Sequence, residues 1–158
     1  MNDPIDNILQ QWNQTKPELD CSAMGIVGRL LLVNINWKKK IEHVLTEKEL
    51  SFIEFDILAT LRRNQIPLTP TELYQTLMLS SGAMSTRIET LVQRGFIERV
   101  ASEKDRRSCK VKLTPQGIKV IDIVLDAHVE NMSGMLNGLD AAEQKQLAGL
   151  LKKVLLSD

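Results

Sequence analysis

A short stretch from Ser80 to Gly95 constrains the fold more than any other part of this 158-residue chain. Ser80 is a favourable N-cap and Gly95 a favourable residue just past a helix C-terminus, so both ends of one helix are marked. Spacing by three and four places Met84, Ile88, Leu91 and Val92 on one apolar face. The other face carries small residues, namely Ser81, Gly82, Ser85, Thr86 and Thr90. The pattern fits an ordinary surface helix or one that enters a groove.

The flanking sequence favours a groove-binding helix. Thr69, Pro70 and Glu72 have the spacing of a capping box with proline at the first helical position, and a short turn at 78–80 gives helix-turn-helix spacing. Downstream, the segments 96–101 and 108–113 have the pattern of two antiparallel strands around a charged tip. Two helices followed by such a hairpin predict a winged helix-turn-helix.

The rest of the chain is predicted to be helical. Further helices are expected to begin near Asp3, Ser22, Ser51, Thr114 and Asp140. Ser51 with Glu54 and Asp140 with Glu143 have the spacing of capping boxes. The expected fold class is mainly α with a small two-stranded β wing, in a single domain spanning 1–158. The winged-helix core would occupy about 47–115, and the flanking helices at about 1–45 and 115–158 carry surplus apolar surface. A second copy of the chain is the economical partner for that surface, which predicts a two-fold homodimer.

Charge and composition narrow the functional classes. The net charge is zero, but nine Lys or Arg against four Asp or Glu lie between Thr86 and Lys119, as expected for local DNA contact. The absence of a signal peptide or an apolar run near 18 residues predicts a cytoplasmic protein with no membrane partner. His43 and His128 are far apart in sequence, so we expect no metal site, and no residue pattern indicates a cofactor or an enzyme.

The run from 80 to 117, SSGAMSTRIETLVQRGFIERVASEKDRRSCKVKLTPQG, resembles the MarR family of bacterial transcription regulators. Its most specific part is Asp105-Arg106-Arg107 followed by Val-Lys-Leu-Thr at 111–114. The resemblance implies a homodimer with interleaved terminal helices, bound to double-stranded operator DNA. The DNA-binding residues expected from the motif and the resemblance are Thr71, Ser80, Ser81, Gly82, Ser85, Thr86, Arg106 and Arg107.

Three charged residues, Arg29, Asp56 and Arg87, fall on helix faces that are otherwise apolar. Since buried charges are costly unless paired, one interpretation is an Asp56–Arg87 salt bridge between the central and recognition helices. The other is a pocket for a small aromatic or anionic effector that releases a repressor from a pseudo-palindromic operator. An Asp, an Arg and an N-terminal Trp resemble the ligand set of the urate-responsive branch of the family. The expected ligand residues are Trp12, Arg29, Phe52, Asp56 and Arg87.

Two alternative functions remain open at the level of sequence. Cys21 lies near the N-terminal helix, where some MarR-like proteins sense peroxide, but Tyr74 is the single tyrosine available to activate a thiol. Cys109 is expected to pack inside the wing. The second alternative is a winged helix that binds another protein and not DNA.

Overall fold

The computed structural model describes residues 2–77, 81–101 and 109–157, without the side chains of 81–83. These residues form seven α-helices and a two-stranded antiparallel sheet, which confirms the predicted fold class. The elements are α1 (Pro4–Thr15), α2 (Ser22–Glu47), α3 (Phe52–Asn64), α4 (Pro70–Leu77), α5 (Ser81–Gln93), β1 (Ile97–Ala101), β2 (Cys109–Leu113), α6 (Pro115–Met135) and α7 (Ala141–Leu155).

The chain forms two compact units, Met1–Lys40 and Ile41–Asp158, which we call the N-terminal unit and the winged-helix unit. The boundary lies within α2. Among the described helices, none combines the length and apolar character needed to cross a membrane.

In the N-terminal unit, a close helix contact and a charge cluster hold α1 against α2. Asp3 caps α1 and forms a capping box with Asp6. Ile5 is buried because the glycine at position 28 leaves room for it: a Cβ there would lie 2.9 Å from Cδ1 of Ile5. The guanidinium of Arg29 donates to Asp3 at 2.7 Å and to Asp6 at 2.5 Å. One face of α1 is therefore fixed by both packing and charge.

The core of the winged-helix unit surrounds α3. Phe55, Ile57, Leu58 and Leu61 on this helix are buried. Around them pack buried residues from the neighbouring elements, namely Leu45, Leu50, Leu68, Leu73, Met84, Ile88, Leu91, Phe96, Ile97, Val111, Ile121 and Val124. Because α3 contacts α4, α5, α6 and β2, it is the central support for the recognition helix α5.

The two strands form the predicted wing. Ile97 pairs with Leu113 and Ala101 with Cys109 in antiparallel register. Val111 is fully buried, and its backbone also forms a bridge with Leu68 just before α4. The wing base is thus attached directly to the helix-turn-helix.

The junction between α5, the wing and α6 is held by backbone geometry. Gly95 has a φ of +73°, and the amides of Gly95 and Phe96 donate to the carbonyls of Val92 and Leu91, which is a Schellman motif. Thr114 caps α6 and its hydroxyl also donates to the Gly95 carbonyl at 2.7 Å. Gly117, in the first turn of α6, lies so close that an added Cβ would be 1.9 Å from the Phe96 carbonyl oxygen. These contacts fix where α5 ends and where the wing begins.

Candidate nucleic-acid interface

The recognition helix α5 has one buried and one exposed face, as predicted. Met84, Ile88 and Leu91 are each at most 1 % exposed and pack in the core. Ser85 and Thr86 are exposed. A helix anchored by a continuous apolar stripe, with short polar side chains outward, can approach a duplex closely without steric conflict.

The other predicted DNA-binding residues are only partly described. Thr71 is exposed in the first turn of α4, beside the capping box of Thr69 and Glu72. Ser81 and Gly82 lie in the first turn of α5, where free backbone amides of a helix N-terminus favour anions. Ser80, Arg106 and Arg107 lie outside the described residues, so their contacts stay predictions.

Two ion pairs of strand β1, which the sequence patterns did not predict, join it to α5 and to β2. The guanidinium of Arg99 on β1 donates to Glu89 on α5 at 2.8 Å. Within the wing, Lys112 lies 3.1 Å from Glu98 across the strand pair. The opposite charges at the paired positions Glu98 and Lys112 were a signal for the second contact. The first fixes the strand to the recognition helix.

The expected Asp56–Arg87 salt bridge is wrong. Nη1 of Arg87 lies 3.8 Å from Oε1 of Glu54, and Glu54 also lies 3.9 Å from Nη1 of Arg94. Positions 54 and 56 are about 200° apart around a helix axis, so they face opposite ways. Since α5 packs on the Glu54 side, Asp56 is directed away from the recognition helix.

Asp56 instead lies in a separate polar cluster with Arg63 and His128. Burial raises the pKa of Asp56, and the nearby charges of Arg63 and His128 partly offset that shift. Burial lowers the pKa of His128, whose ring centroid lies 4.7 Å from that of Phe55. Nδ1 of His128 is buried with no hydrogen-bond partner among the described residues. Burial therefore shifts Asp56 and His128 towards their neutral forms, against the effect of the charges within the cluster.

The predicted ligand residues are divided between the two units. In the N-terminal unit, Trp12 is 39 % exposed, and the guanidinium of Arg29 is engaged by Asp3, Asp6 and the Gly25 carbonyl. These contacts use three of the five N–H donors of the guanidinium, so an anion at Arg29 would share it with two carboxylates.

In the winged-helix unit, Phe52 is exposed at the start of α3. It lies one helical turn from Asp56 and therefore on the same side of that helix. Arg87 lies on α5 with 41 % of its side chain exposed. Phe52 and Asp56 thus lie on the same face of α3, whereas Arg87 contacts Glu54 on a different face.

The two free cysteines, the candidates for a redox or metal site, lie in different surroundings. Cys21 lines a shallow cleft of about 260 Å³, and no Lys, Arg or His is among the other residues that line it, namely Leu9, Asn13, Leu19, Asp20 and Ser22. Cys109 is a half-buried free cysteine at the start of β2, where its thiol lies 3.7 Å from the Lys110 carbonyl oxygen. No group of three or more potential metal ligands occurs within the residues that the structure describes.

Comparison with known proteins gives a consistent result. The sequence profile of the MarR family matches residues 49–108. The transcriptional regulator PecS of Dickeya dadantii is 35 % identical over 95 % of this chain and 92 % of its own length. The multiple antibiotic resistance protein MarR of Escherichia coli is 30 % identical over 82 % of this chain and 90 % of its own.

Among solved structures, a cysteine-to-serine variant of the E. coli MarR protein was determined in complex with operator DNA. It is 27 % identical, covers 91 % of this chain and 97 % of its own, and superimposes with a TM-score of 0.71.

Proposed function

We propose that this chain, which belongs to the MarR family of transcription regulators, is a homodimeric repressor that a small anionic or aromatic effector releases from a pseudo-palindromic operator. Its relatives and its winged helix make it a DNA-binding transcription regulator and not an enzyme. The repressor mode, the dimer and the effector are the steps that the proposal adds.

The observation that carries the DNA-binding mode is the exposed face of α5. Ser85 and Thr86 project from a helix whose opposite side is fully buried, so the helix can enter a major groove as one rigid element. The amides near 80–82 would face a phosphate at the helix N-terminus, and Arg106 would reach the minor groove or its phosphates. A MarR relative with this fold was solved in complex with operator DNA, which supports DNA binding by this chain.

Unpartnered apolar surface supports a homodimer. Exposed apolar side chains lie on α2 in the N-terminal unit and on α6 and α7 in the winged-helix unit, and α7 has no buried residue. The most exposed of them are Ile26, Val27, Leu31, Ile35, Ile123, Leu150, Val154 and Leu155. Exposed apolar surface on helices is typical of a protein interface, and each unit presents such surface.

A dimer of this kind has a geometric consequence for the operator. Two recognition helices would enter adjacent major grooves roughly 34 Å apart, with half-site centres about 10 base pairs apart. To test this, a duplex selected by the protein from a random pool is footprinted at saturation. Two equivalent protected half-sites are expected, and a single isolated half-site would exclude the model.

For the effector, Arg87 offers a partly exposed guanidinium on the recognition helix itself. An anion that binds Arg87 must compete with the Glu54 carboxylate 3.8 Å away, which couples binding to the position of α5. The necessary condition is that the effector binds the free and DNA-bound forms with different affinities, since equal affinities shift no equilibrium. A coupling of about 1–3 kcal/mol corresponds to ~5–150-fold release.

A thermal-shift screen against aromatic carboxylates, indoles, phenols and purines identifies the effector. Its effect on DNA affinity is then measured for Asp56→Asn, Trp12→Phe and the wild type. We expect Asp56→Asn to keep basal DNA binding and to respond less. A response equal to that of the wild type would remove Asp56 from the ligand set.

A further inference from the structure

Glu54 is unusual among the acidic residues that the structure describes, because it is the one that is buried, with 6 % of its side chain exposed. Its Oε2 accepts hydrogen bonds from the backbone amide and the hydroxyl of Ser51, both at 2.8 Å. Oε1 lies 3.8 Å from Arg87 and Oε2 lies 3.9 Å from Arg94. The same carboxylate thus forms part of the N-terminal cap of α3 and lies within ion-pair distance of two arginines from another segment.

Helix capping alone does not explain this arrangement. The chain contains equivalent glutamate capping boxes at α4 and α7, where Glu72 and Glu143 accept from the backbone amides of Thr69 and Asp140. Both of these glutamates are exposed. A glutamate can therefore cap a helix in this chain while its carboxylate stays exposed. Capping alone does not account for the burial of the Glu54 carboxylate.

The two arginines account for the burial of Glu54. Arg87 and Arg94 are seven residues apart, which places them on the same side of the recognition helix two turns apart. Arg94 follows directly after the end of α5, and its guanidinium also lies 4.7 Å from the centre of the Phe96 ring. Phe96 is buried at the start of the wing. A single carboxylate between the two arginines therefore holds α5 at its middle and at its C-terminal end.

Removing the carboxylate would loosen the helix without unfolding it. Arg87 and Arg94 have 41 % and 28 % of their side chains exposed, so both can turn towards water when their partner is lost. The apolar stripe of α5 would stay buried, and the exposed Arg99–Glu89 ion pair would remain, but the rotation of α5 about its axis would lose its restraint on the α3 side. Ser85 and Thr86 would then no longer be held in one orientation towards the duplex.

We propose that Glu54 is a positioning residue for DNA recognition, because its buried carboxylate, shared by Arg87 and Arg94, sets the orientation of α5. This role rests on the proposed entry of α5 into the major groove. It reassigns the central-to-recognition helix connection from Asp56 to Glu54.

The test is a double-mutant cycle of DNA affinity. Glu54→Gln keeps an oxygen that can accept from the Ser51 amide but removes the charge, and Arg87→Met removes one partner. The probe is the duplex that the wild-type protein selects from a random pool, with a scrambled duplex for non-specific binding. Glu143→Gln is the matched control, since it makes the same change in an exposed capping box.

Glu54→Gln is expected to weaken binding to the selected duplex by roughly 2–30-fold. Binding to the scrambled duplex and the response of Glu143→Gln should stay near the wild-type values. Because Glu54→Gln already removes the ion pair with Arg87, adding Arg87→Met should not weaken binding beyond that of Glu54→Gln alone. Wild-type affinity for Glu54→Gln, or additive losses in the cycle, would overturn the proposal.

Thermal unfolding separates positioning from folding. A residue that only stabilises the fold would lower the melting temperature and leave the affinity unchanged well below it. If Glu54→Gln does not fold, Arg94→Met tests the proposal in its place. The proposal requires this variant to bind the selected duplex more weakly and the scrambled duplex as the wild type does. If the wild type selects no duplex, the DNA-binding proposal itself fails, which is a different outcome from a selected duplex that Glu54→Gln binds normally.

Discussion

The N-terminal unit and the winged-helix unit each contain a cluster of three charged side chains. In the N-terminal unit one cation lies between two anions, and in the winged-helix unit one anion lies between two cations. In the first, the guanidinium of Arg29 lies between Asp3 and Asp6 at 2.7 and 2.5 Å, and all three side chains are more than one-third exposed. In the second, the buried carboxylate of Glu54 lies between two guanidinium groups at 3.8 and 3.9 Å. Exposed pairs are screened by water, whereas a buried charge is costly to leave without a partner. Burial, more than distance, decides which cluster matters for stability.

The close glycine contacts of the two units differ in the same way. At Gly28, a Cβ would meet the flexible end of the Ile5 side chain at 2.9 Å. At Gly117, it would meet the backbone oxygen of Phe96 at 1.9 Å. A side-chain methyl can move aside, but this carbonyl belongs to the junction between α5 and the wing. The contact at Gly28 can therefore adapt to an added methyl group, whereas the contact at Gly117 cannot.

The largest expected effect separates these two glycines. Gly117→Ala should lower the free energy of unfolding by about 3 kcal/mol, because the added methyl forces apart two backbone segments. Gly28→Ala should change it by less than about 1 kcal/mol, since the helix propensity of alanine offsets the displacement of Ile5. Urea unfolding of both variants measures the difference. Equal losses would show that the two contacts are equally rigid.

The next effect concerns the buried carboxylate. Glu54→Met should lower the free energy of unfolding by about 1–3 kcal/mol, since it removes a cap and leaves two arginines without their anion. Glu143→Met removes an exposed cap alone and should cost about 0.5–1 kcal/mol. Chemical denaturation of the two variants under identical conditions makes the comparison. A cost for Glu54→Met no greater than for Glu143→Met would mean that the arginine contacts add nothing.

A smaller, local effect is expected at the exposed cluster. Arg29→Met removes both ion pairs of α1 but leaves Ile5 against Gly28, so the global unfolding transition should stay nearly unchanged. Hydrogen exchange of the α1 amides should become faster, because local opening of this helix becomes easier. Unchanged exchange in α1 would show that packing alone holds it. A large decrease in the free energy of global unfolding would show that the ion pairs of Arg29 stabilise more than the local docking of α1.

The smallest effect is a pH dependence of the same contact. The hydrogen bond from Arg29, followed by the amide of Asp6, holds the pKa of Asp3 below its usual 3.8. An acid whose pKa is lowered by folding contributes stability above its unfolded value, and this is lost as the pH falls through its folded value. The α1 amides should therefore lose protection below about pH 4, and Arg29→Met should weaken that dependence, because the amides of Asp6 and Ile5 still lower the pKa of Asp3. A wild-type profile that is flat between pH 5 and 2 would contradict the assignment.

Local sequence signals were sufficient for the elements of the fold. The capping boxes at Ser51, Thr69 and Asp140 and the glycine at 95 gave helix ends that the structure confirms within a few residues, because caps act between neighbours. The alternation in 109–113 likewise gave the second strand of the wing.

The partners of the charged residues were not predictable in the same way. Glu54 was recognised as a cap, but its contacts with Arg87 and Arg94 depend on which side of α3 meets α5. Helical periodicity shows that positions 54 and 56 face apart and does not show which side the recognition helix occupies. The seven-residue spacing of the two arginines predicts that they lie on the same side of a helix. It does not identify the carboxylate that faces them.

The central claim is that a recognition helix oriented by Glu54 binds operator DNA, and a salt titration of DNA affinity tests it most directly. The wild type, Glu54→Gln and Arg106→Ala are compared on the selected duplex. Arg106→Ala should weaken binding and make the salt dependence shallower by about one unit, as expected for a lost phosphate contact. Glu54→Gln should give a line parallel to that of the wild type and displaced to roughly tenfold weaker binding, because it alters orientation and no phosphate contact. A Glu54→Gln line that coincides with the wild-type line at every salt concentration would contradict the account.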